Sequence, residues 1–255
     1  EKLKRHQNIT LDYVSICSPN YLHDAHIRMA LRCGAHAICE KPIVLNPWNI
    51  DALSAIEKES DGNIYTILQL RLHSAIVALK AKVVSEAKNG KYDIDLTYIT
   101  SRGKWYDNSW KGDESKSGGI ATNIGVHFYD MLSWVFGAVQ QNTVHHREKH
   151  KASGYLEFEN ARVRWFLSID ENDLPQSVKE KGQRTYRSIT IDHQELEFSA
   201  GFTELHTKSY QEILKGNGFG LSDVRKSIEI VHDIRNASIG KNGEQHPFLS
   251  KIGVF

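Results

Sequence analysis

The chain has 255 residues, 40% of them hydrophobic, which is enough for one large domain or two modest ones with a substantial core. Its 32 basic and 31 acidic side chains nearly cancel, so no overall field draws it to nucleic acid or to an anionic membrane. The three cysteines cannot all pair, and the sequence has no signal-peptide pattern. No apolar stretch approaches the roughly 20 residues of a membrane span. These features predict a soluble cytoplasmic protein.

Three short apolar runs mark the first seventy residues, and each is typical of a buried parallel strand. They cover residues 11–17, 35–39 and 63–70. Helical segments lie between them, which gives the order strand, helix, strand, helix, strand. This order predicts a doubly wound α/β sheet over residues 1–72, with ligands outside the carboxyl ends of the strands.

The two helices between these strands have recognisable ends. Gly34 ends the first helix, and Asn46 is the predicted N-cap of the second, with Pro47 as its first residue. The second helix should run to about residue 59. The apolar stripe of the first helix consists of Leu22, His26, Met29 and Cys33.

From about residue 92 the pattern changes to longer, more polar strands with few helices between them. These strands cover residues 93–100, 154–158, 162–169 and 188–198, and Glu159-Asn160 forms a hairpin turn. Helices are predicted over about 119–136, 204–215 and 221–239. The pattern predicts an α+β domain over residues 73–255, with an open, largely antiparallel sheet. A sheet face left uncovered predicts a homodimer or homotetramer built through that face.

The glycine-rich loop that normally opens a dinucleotide-binding domain is not found before the first strand. The one similar stretch, residues 216–220, lies between two late helices and is a helix-terminating turn. We therefore expect a dinucleotide-binding domain that is N-terminally incomplete and lacks its first βαβ unit. A chain without that unit should bind a dinucleotide more weakly than a complete protein.

Two motifs far apart in the sequence carry the residues best suited to chemistry. Cys39-Glu40-Lys41-Pro42 ends the second strand, and Pro42 biases Lys41 towards an extended backbone that holds its ammonium in place. The alternative is a surface lysine paired with Glu40. The second motif, Ser-Gly-Gly-Ile-Ala-Thr-Asn-Ile-Gly-Val-His, occupies residues 117–127 at the start of the long helix.

The long helix has an apolar stripe and a polar row beside it. The polar row contains Asn123, His127 and Asp130, at spacings of four and three residues. An amide, an imidazole and a carboxylate could serve as donor, base and orienting group, since the histidine pKa lies near working pH. The alternative is a core histidine satisfied by Asp130. The apolar stripe consists of Ile120, Ile124, Phe128, Met131 and Val135.

A Glu-Lys-Pro after a strand, followed by a Gly-Gly…Asn-x-Gly-x-x-His helix, resembles the Gfo/Idh/MocA family of NAD(P)-dependent sugar oxidoreductases. The resemblance covers nearly the whole chain. Segments 18–20, 68–71 and 112–119 are most similar to the branch of UDP-N-acetylglucosaminuronic acid 3-dehydrogenases, which act in lipopolysaccharide sugar synthesis. The resemblance implies a Rossmann-like domain, NAD as cofactor, and oxidation of the C3 hydroxyl of that nucleotide sugar.

The resemblance also implies roles for particular residues. Lys41 would lie beside the nicotinamide and donate a hydrogen bond to the developing oxygen charge, and either Lys41 or His127 would accept the hydroxyl proton. Asn123 stands where many members have aspartate, so hydrogen bonding to a substrate hydroxyl is expected of it. By itself, Asn20 is explained as a helix cap. The predicted cofactor contacts are Ser18, Pro19, Asn20, His23, Glu40, Lys41, Gln69 and Arg71.

The stretch 101–113 is a long loop rich in aromatic and basic residues, between a strand and the long helix. Its aromatic rings could pack on a sugar or uracil, and its bases could meet a carboxylate or a pyrophosphate. An oligomer interface uses the same residue types and is the alternative. The predicted substrate contacts are Arg102, Lys104, Tyr106, Trp110, Lys111, Ser117, Asn123 and Tyr210.

No metal site is predicted. The three cysteines, Cys17, Cys33 and Cys39, lack Cys-x-x-Cys spacing. A charged turn holds His145, His146 and His150, which are expected to be solvated. Two other functions remain open: a family enzyme that oxidises a free polyol such as an inositol, and a non-catalytic sugar-binding regulator of the same fold. The basic loop favours a larger, charged substrate, and the retained lysine and histidine favour catalysis.

Overall fold

The computed structural model describes residues 9–86, 88–196 and 203–251, and its strands form two sheets. The first sheet is parallel and has the order β1-β2-β3. It consists of β1 (Tyr13–Ile16), β2 (His36–Cys39) and β3 (Ile64–Thr66), joined by helices α1 (His23–Arg32) and α2 (Pro47–Lys58). This is the predicted alternation of strand and helix, and it places the carboxyl ends of the three strands along one edge.

The second sheet has six strands in the order β5-β6-β7-β4-β8-β9. Its strands are β4 (Tyr92–Thr100), β5 (Val139–Arg147), β6 (Lys151–Phe158), β7 (Ala161–Ser168), β8 (Thr185–Ile191) and β9 (Gln194–Glu195). Of the described pairs, β4 with β7 is parallel and the rest are antiparallel. The predicted fold class, a doubly wound domain followed by an α+β domain with an open and largely antiparallel sheet, is confirmed. The boundary near residue 72 stays a prediction.

Eight further helices complete the described chain. They are α3 (Ser74–Ser85), α4 (Lys104–Asn108), α5 (Glu114–Ser117), α6 (Val126–Phe136), α7 (Gln176–Lys179), α8 (Leu205–Leu214), α9 (Leu221–Asn236) and α10 (Pro247–Lys251). Short 3-10 turns occupy Asn20–Leu22, Gln69–Leu72, Trp110–Gly112 and Glu171–Asp173. The predicted apolar stripe of the long helix is buried at all five positions. Within the described ranges, no helix is both long and apolar enough to cross a membrane.

The long helix opens with a π-helical turn, Ala121–Gly125, which runs directly into α6. Two glycines allow the backbone to turn into this helix. Gly118 and Gly119 have φ angles of 81° and 76°, in the left-handed region that favours glycine. A Cβ on Gly118 would also lie 2.7 Å from the Thr122 side chain. Single π-helical turns are frequent at functional sites, because they turn side chains out of the regular helical rows.

Three strand predictions differ from the structure. The third strand ends at Thr66 rather than at residue 70, and the chain continues into the 3-10 turn Gln69–Leu72. Apolar residues continue past Thr66 at Ile67, Leu68 and Leu70, so the sequence pattern does not mark where backbone pairing stops. The predicted strand 188–198 divides into β8 and β9 at a turn where Asp192 and His193 have positive φ, and its residues 197 and 198 lie outside the described residues. Strand β5 was not predicted.

The predicted stripe of α1 is wrong by one position along the helix, although its last member, Cys33, is buried at 5% exposure. The buried residues are His23, Ile27, Ala30 and Leu31, whereas Met29 is 43% exposed. A short helix with apolar residues in two neighbouring rows fits two registers. The small Ala30 is fully buried in the core that this helix shares with the first sheet.

The outer face of the second sheet, on the side away from α6, is covered by other segments of the chain more than the sequence predicts. Away from α6, Ile99 and Phe166 pack with Leu174, Val178 and the ring of Phe248. Farther along the same strands, Arg164 pairs with Asp95 at 2.5 Å. The expectation of an uncovered face is therefore correct only in part, and assembly into a homodimer or homotetramer stays a prediction.

Tyr129 on α6 offers a test of core packing. It is fully buried, lies edge-on to Trp165 at 5.6 Å, and its hydroxyl has no hydrogen-bond partner among the described residues. Since burying an unpaired polar group costs about 1–3 kcal/mol, Tyr129→Phe is expected to raise the free energy of unfolding by about 1 kcal/mol. Urea unfolding of both forms measures this change. A loss of stability would show that the hydroxyl has a partner such as a buried water.

Candidate active site

A pocket of about 250 Å³ lies where the residues that follow β2 and β3 meet the π-helical turn and the second sheet. It is lined by Lys41, Gln69, Leu70, Tyr98, Arg102, Tyr106, Lys111, Asn123, Ile124, His127, Phe128 and Arg187. All three predicted catalytic residues therefore line one cavity. The strand-end motif and the helix motif, which are distant in sequence, meet there.

Lys41 joins the two motifs directly, because its Nζ donates to the backbone carbonyl oxygen of Asn123 at 3.0 Å. Burial lowers the pKa of Lys41 to about 8; Glu40 opposes this shift, and Lys111 and Arg102 add to it. Within the described residues, the carboxylate of Glu40 has His206 as its ion-pair partner, at 3.1 Å, rather than Lys41. The alternative of a surface Lys41–Glu40 pair does not agree with this arrangement.

His127 is half-buried and forms no hydrogen bond within the described part of the chain. Burial, followed by the charges of Lys41, His206 and Arg187, holds its pKa well below the ordinary value. Its ring is therefore neutral near pH 7 and can accept a proton. The predicted orienting group is wrong, because Asp130 accepts hydrogen bonds from the guanidinium of Arg71.

Asn123 belongs to a chain of polar contacts that crosses between the two domains. Asn20 Nδ2 donates to the carbonyl oxygen of Ser117 at 2.9 Å and contacts Asn123 Oδ1 at 3.4 Å. Asn123 Nδ2 in turn donates to the hydroxyl of Tyr106 at 2.7 Å. The prediction that Asn20 caps a helix is wrong, since Pro19 is the N-cap residue of the Asn20–Leu22 turn and the Asn20 side chain points across the interface.

The other predicted residues after β1, Ser18, Pro19 and His23, are not among the described residues that line the pocket. Ser18 and His23 instead form hydrogen bonds within and between neighbouring turns. His23 is 1% exposed, with Nδ1 2.7 Å from the Pro42 carbonyl oxygen and Nε2 2.8 Å from that of Ser18. The hydroxyl of Ser18 also contacts His26 Nδ1 at 2.8 Å. These bonds tie the turn after β1 to the turn after β2, which carries Lys41.

The two candidates after β3 have different surroundings. Gln69 lines the pocket, and its Oε1 is buried without a hydrogen-bond partner in the described chain. Arg71 instead lies in a buried ion pair with Asp130, with Nη2 2.8 Å from Oδ1. A second, more exposed carboxylate, Asp223, lies 3.3 Å from its Nη1. Arg71 is not among the described residues that line this pocket, and its contact with the cofactor stays a prediction.

The basic and aromatic loop reaches the pocket with three of its predicted residues, Arg102, Tyr106 and Lys111. Lys104 is exposed and borders a separate groove. Trp110 is half-buried, and the ammonium of Lys111 lies 5.6 Å from the centroid of the Trp110 ring. Trp110 is not among the described residues that line the pocket. Part of the loop is helical (α4), which brings Tyr106 inward and leaves its neighbours outside.

Two further predicted substrate contacts lie elsewhere in the described structure. Ser117 is fully buried and borders an adjacent cavity of about 270 Å³, which shares Tyr106 and Lys111 with the first. Tyr210 on α8 has its hydroxyl 2.5 Å from Ser15 Oγ, at the edge of the first sheet. That Tyr210 closes over the substrate stays a prediction.

Five lining residues have no predicted site role: Leu70, Tyr98, Ile124, Phe128 and Arg187. Tyr98 and Arg187 are direct partners in the β4–β8 register, and the guanidinium lies 5.3 Å from the ring centroid of the tyrosine. Cross-strand partners share no local sequence pattern. The alternation of β4, which turns Tyr98 and Leu96 to one face, was the one available signal.

The histidines of the predicted solvated turn are mostly buried. His145 and His146 lie in β5 and are each 7% exposed, and His145 Nε2 contacts the carbonyl oxygen of Asn242 at 2.8 Å. His150 pairs with Asp107 at 2.8 Å. The prediction of a solvated turn is therefore wrong for the first two. In the part of the chain that the structure describes, no three His, Cys, Asp or Glu side chains are grouped to hold a metal ion.

Comparison with protein families identifies the class to which this fold and pocket belong. Residues 1–67 match the oxidoreductase family, NAD-binding Rossmann fold (Gfo/Idh/MocA). Residues 90–186 match the C-terminal alpha/beta domain of the same oxidoreductase family. The chain therefore belongs to the Gfo/Idh/MocA oxidoreductase family, as its motifs predict.

Solved structures of the WlbA (WbpB) dehydrogenase from Thermus thermophilus are similar over most of the chain. One, in complex with NAD and α-ketoglutarate, is 48% identical, with a TM-score of 0.90, and the match covers 97% of this chain and 80% of that one. Another, in complex with NAD and UDP-GlcNAcA, is 49% identical, with a TM-score of 0.88, and covers 93% and 77%.

A curated relative of this chain is the D-glucoside 3-dehydrogenase of Escherichia coli (strain K12). It is 27% identical over 144 residues, which cover 54% of this chain and 40% of the relative. A second, a putative UDP-kanosamine synthase oxidoreductase subunit of Amycolatopsis mediterranei (strain S699), is 30% identical over 50% of this chain and 35% of its own length. The matches thus span less than half the length of these relatives.

The pocket fits the nicotinamide end of NAD, the cofactor of this Rossmann domain. The buried Oε1 of Gln69 is an acceptor without a donor in the described chain, and it lines the same pocket as Lys41. The carboxamide N–H groups of a nicotinamide would satisfy it. Gln69 and Lys41 follow neighbouring parallel strands, at the edge where ligands of doubly wound sheets bind.

Proposed function

We propose that this protein oxidises the C3 hydroxyl of UDP-N-acetylglucosaminuronic acid, with NAD as cofactor, in the synthesis of lipopolysaccharide sugars. The observation that carries the proposal is the charge of the pocket. Its described lining contains four cationic side chains, Lys41, Arg102, Lys111 and Arg187, and no carboxylate. Such a pocket favours an anionic ligand, and a guanidinium matches the geometry of a carboxylate.

The similar Thermus thermophilus structures support this choice of ligand. One of them contains UDP-GlcNAcA, whose sugar carries a carboxylate, and another contains α-ketoglutarate, a dicarboxylate. Both ligands are anions of the kind that the four cations would attract. A free inositol is uncharged and would gain nothing from them.

The residues of the pocket divide the proton chemistry between them. NAD, held beside Gln69 and Lys41, would supply the hydride acceptor for the sugar carbon, and the hydroxyl proton must pass to a base. Because the pKa of His127 lies well below its ordinary value, its ring is neutral at working pH and open to the proton, but the same shift makes it a weaker base than a free imidazole. Lys41, with a pKa of about 8, is mostly protonated at neutral pH and donates a hydrogen bond to the reacting oxygen.

The full-length protein is expected to form NADH with UDP-N-acetylglucosaminuronic acid and far less with UDP-N-acetylglucosamine, which lacks the carboxylate. Losing a hydrogen bond to a charged group costs about 1.5–3 kcal/mol, so kcat/KM should fall by about 10- to 100-fold. The absorbance of NADH measures both reactions. An inositol control is expected to give no turnover, and faster oxidation of inositol would overturn the proposed substrate.

A further inference from the structure

We infer that Tyr106 donates its hydroxyl hydrogen to an oxygen atom of the bound sugar, and that Asn20 and Asn123 fix the direction of this hydrogen bond. Tyr106 then acts as a specificity-determining residue, and the two asparagines act as positioning residues. The inference rests on the proposed function, because it concerns the same pocket and the same substrate. Its basis is a chain of polar contacts whose direction is set at one end by the backbone.

The first step is the orientation of Asn20. A backbone carbonyl oxygen can only accept, so the Asn20 atom 2.9 Å from the Ser117 oxygen must be the amide nitrogen. The same nitrogen lies 3.4 Å from the side chain of Asn123. The atom of Asn123 that faces it is therefore the carbonyl oxygen, which can accept its second hydrogen.

The second step is the orientation of Tyr106. With Oδ1 turned towards Asn20, the amide nitrogen of Asn123 faces the phenol oxygen at 2.7 Å. An amide nitrogen only donates, so the phenol oxygen accepts and its own hydrogen must point elsewhere. Tyr106 is 4% exposed, and burial raises the pKa of its phenol, which keeps the hydrogen in place. Within the described residues, no other group hydrogen-bonds to this hydroxyl.

The third step is the chemistry of the pocket. Tyr106 lines the cavity that also contains Lys41, and both side chains contact Asn123, one at its amide nitrogen and the other at its backbone oxygen. A sugar offers hydroxyl, carbonyl and carboxylate oxygens, all of which accept hydrogen bonds. An aspartate at position 123 would reverse the arrangement, because its carboxylate would take the phenol hydrogen for itself. The amide at position 123 is thus what leaves Tyr106 as a donor to the sugar.

A double-mutant cycle in the full-length protein tests this direction. In the wild-type background, Tyr106→Phe is expected to weaken calorimetric binding of UDP-N-acetylglucosaminuronic acid by about tenfold, the usual effect of one lost hydrogen bond. In the Asn123→Asp background, the same replacement should change binding by less than about twofold, since the hydrogen is already held by the carboxylate. Equal losses in the two backgrounds would overturn the inference.

Two further measurements keep the test independent of how Asn123→Asp folds. UDP alone lacks the N-acetylglucosaminuronic acid, so Tyr106→Phe should leave its affinity unchanged. An equal loss of affinity for UDP would refute contact between Tyr106 and that sugar. Tyr129→Phe removes another buried phenol hydroxyl, away from the pocket, and should bind the nucleotide sugar as the wild type does. A wild-type protein that does not bind the nucleotide sugar would refute the proposed function, and this inference with it. Binding that is unaffected by Tyr106→Phe would refute the inference alone.

Discussion

Replacing Lys41 with alanine, or His127 with asparagine, is expected to lower kcat by about 100- to 10,000-fold, the range that general acid–base assistance contributes. Both side chains line one pocket, and Lys41 donates to the backbone of the helix turn that precedes His127. If both act on one hydroxyl, neither works in its normal geometry once the other is gone. The double mutant should therefore be little worse than the poorer single mutant.

The dependence of kcat/KM on pH separates the roles of the two residues. The pKa of Lys41 in the folded protein is about 8, so a required ammonium loses its proton as pH rises through this value and activity should decline. Were Lys41 the base, activity would instead rise through the same range. Lys41→Arg should abolish the decline, because a guanidinium does not titrate there. The pKa of His127 lies well below 6.5, so the change in kcat/KM that its protonation causes should appear on the acidic side of neutrality.

The exposed Lys58, at the end of α2, provides a matched control. Lys58→Ala removes the same kind of side chain away from the pocket and should leave kcat unchanged. Circular dichroism and thermal unfolding would establish that each variant is folded. Losses in Lys41→Ala and His127→Asn that multiply independently, or a single variant within about threefold of wild type, below the acid–base range, would show that the two residues do not share a reaction centre.

The parts of the site that could be predicted are those that depend on local sequence. Lys41 follows an apolar run and precedes a proline, and these two features alone place it at a strand end with a restrained backbone. Asn123 and His127 follow from helical periodicity, because four residues return a side chain to the same face. The alternation of strands and helices in the first domain is also predictable, because each element has its own local pattern of apolar residues.

The rest depends on which elements meet in space. Arg187 reaches the pocket because β8 pairs with β4, and no pattern within either strand specifies that pairing. Asn20 was predicted to cap a helix, as its position after a strand allows, yet its side chain bonds across the domains to Asn123. Asp130 lies on the predicted helical face, but its partner, Arg71, comes from a 3-10 turn just past residue 70, the predicted end of the third strand. Helical spacing shows which side chains share a face, whereas their partners are set by tertiary packing.

Removing the carboxylate of Asp130 is expected to lower the free energy of unfolding by about 3–5 kcal/mol, because Arg71 would lose its buried partner and keep only the more exposed Asp223. The two side chains are almost completely buried, and Arg71 donates Nε and Nη2 to Asp130 at 2.9 and 2.8 Å. Asp223 is the matched control: it lies 3.3 Å from Arg71, its side chain is 39% exposed, and such pairs contribute little. Asp223 Oδ2 also accepts from the backbone N–H of Gly220 at the start of α9, so Asp223→Ala should cost about 1–2 kcal/mol, still less than the loss of the buried pair. Urea unfolding of both variants, with their m-values, measures the difference.

Replacing both partners distinguishes the stranded charge from a loss of packing. Arg71 lies 5.1 Å from the ring centroid of Phe219 and 5.9 Å from that of Trp134, so methionine at its position would meet apolar surfaces. Arg71→Met combined with Asp130→Leu removes both charges and should recover most of the stability lost in Asp130→Ala, since apolar replacements of buried ion pairs are often neutral. Equal stabilities of Asp130→Ala and Asp223→Ala would instead show that the guanidinium is compensated elsewhere. Gln69 belongs to the same short turn as Arg71, so a stable double variant with weakened NAD binding would show that the ion pair also orients the pocket.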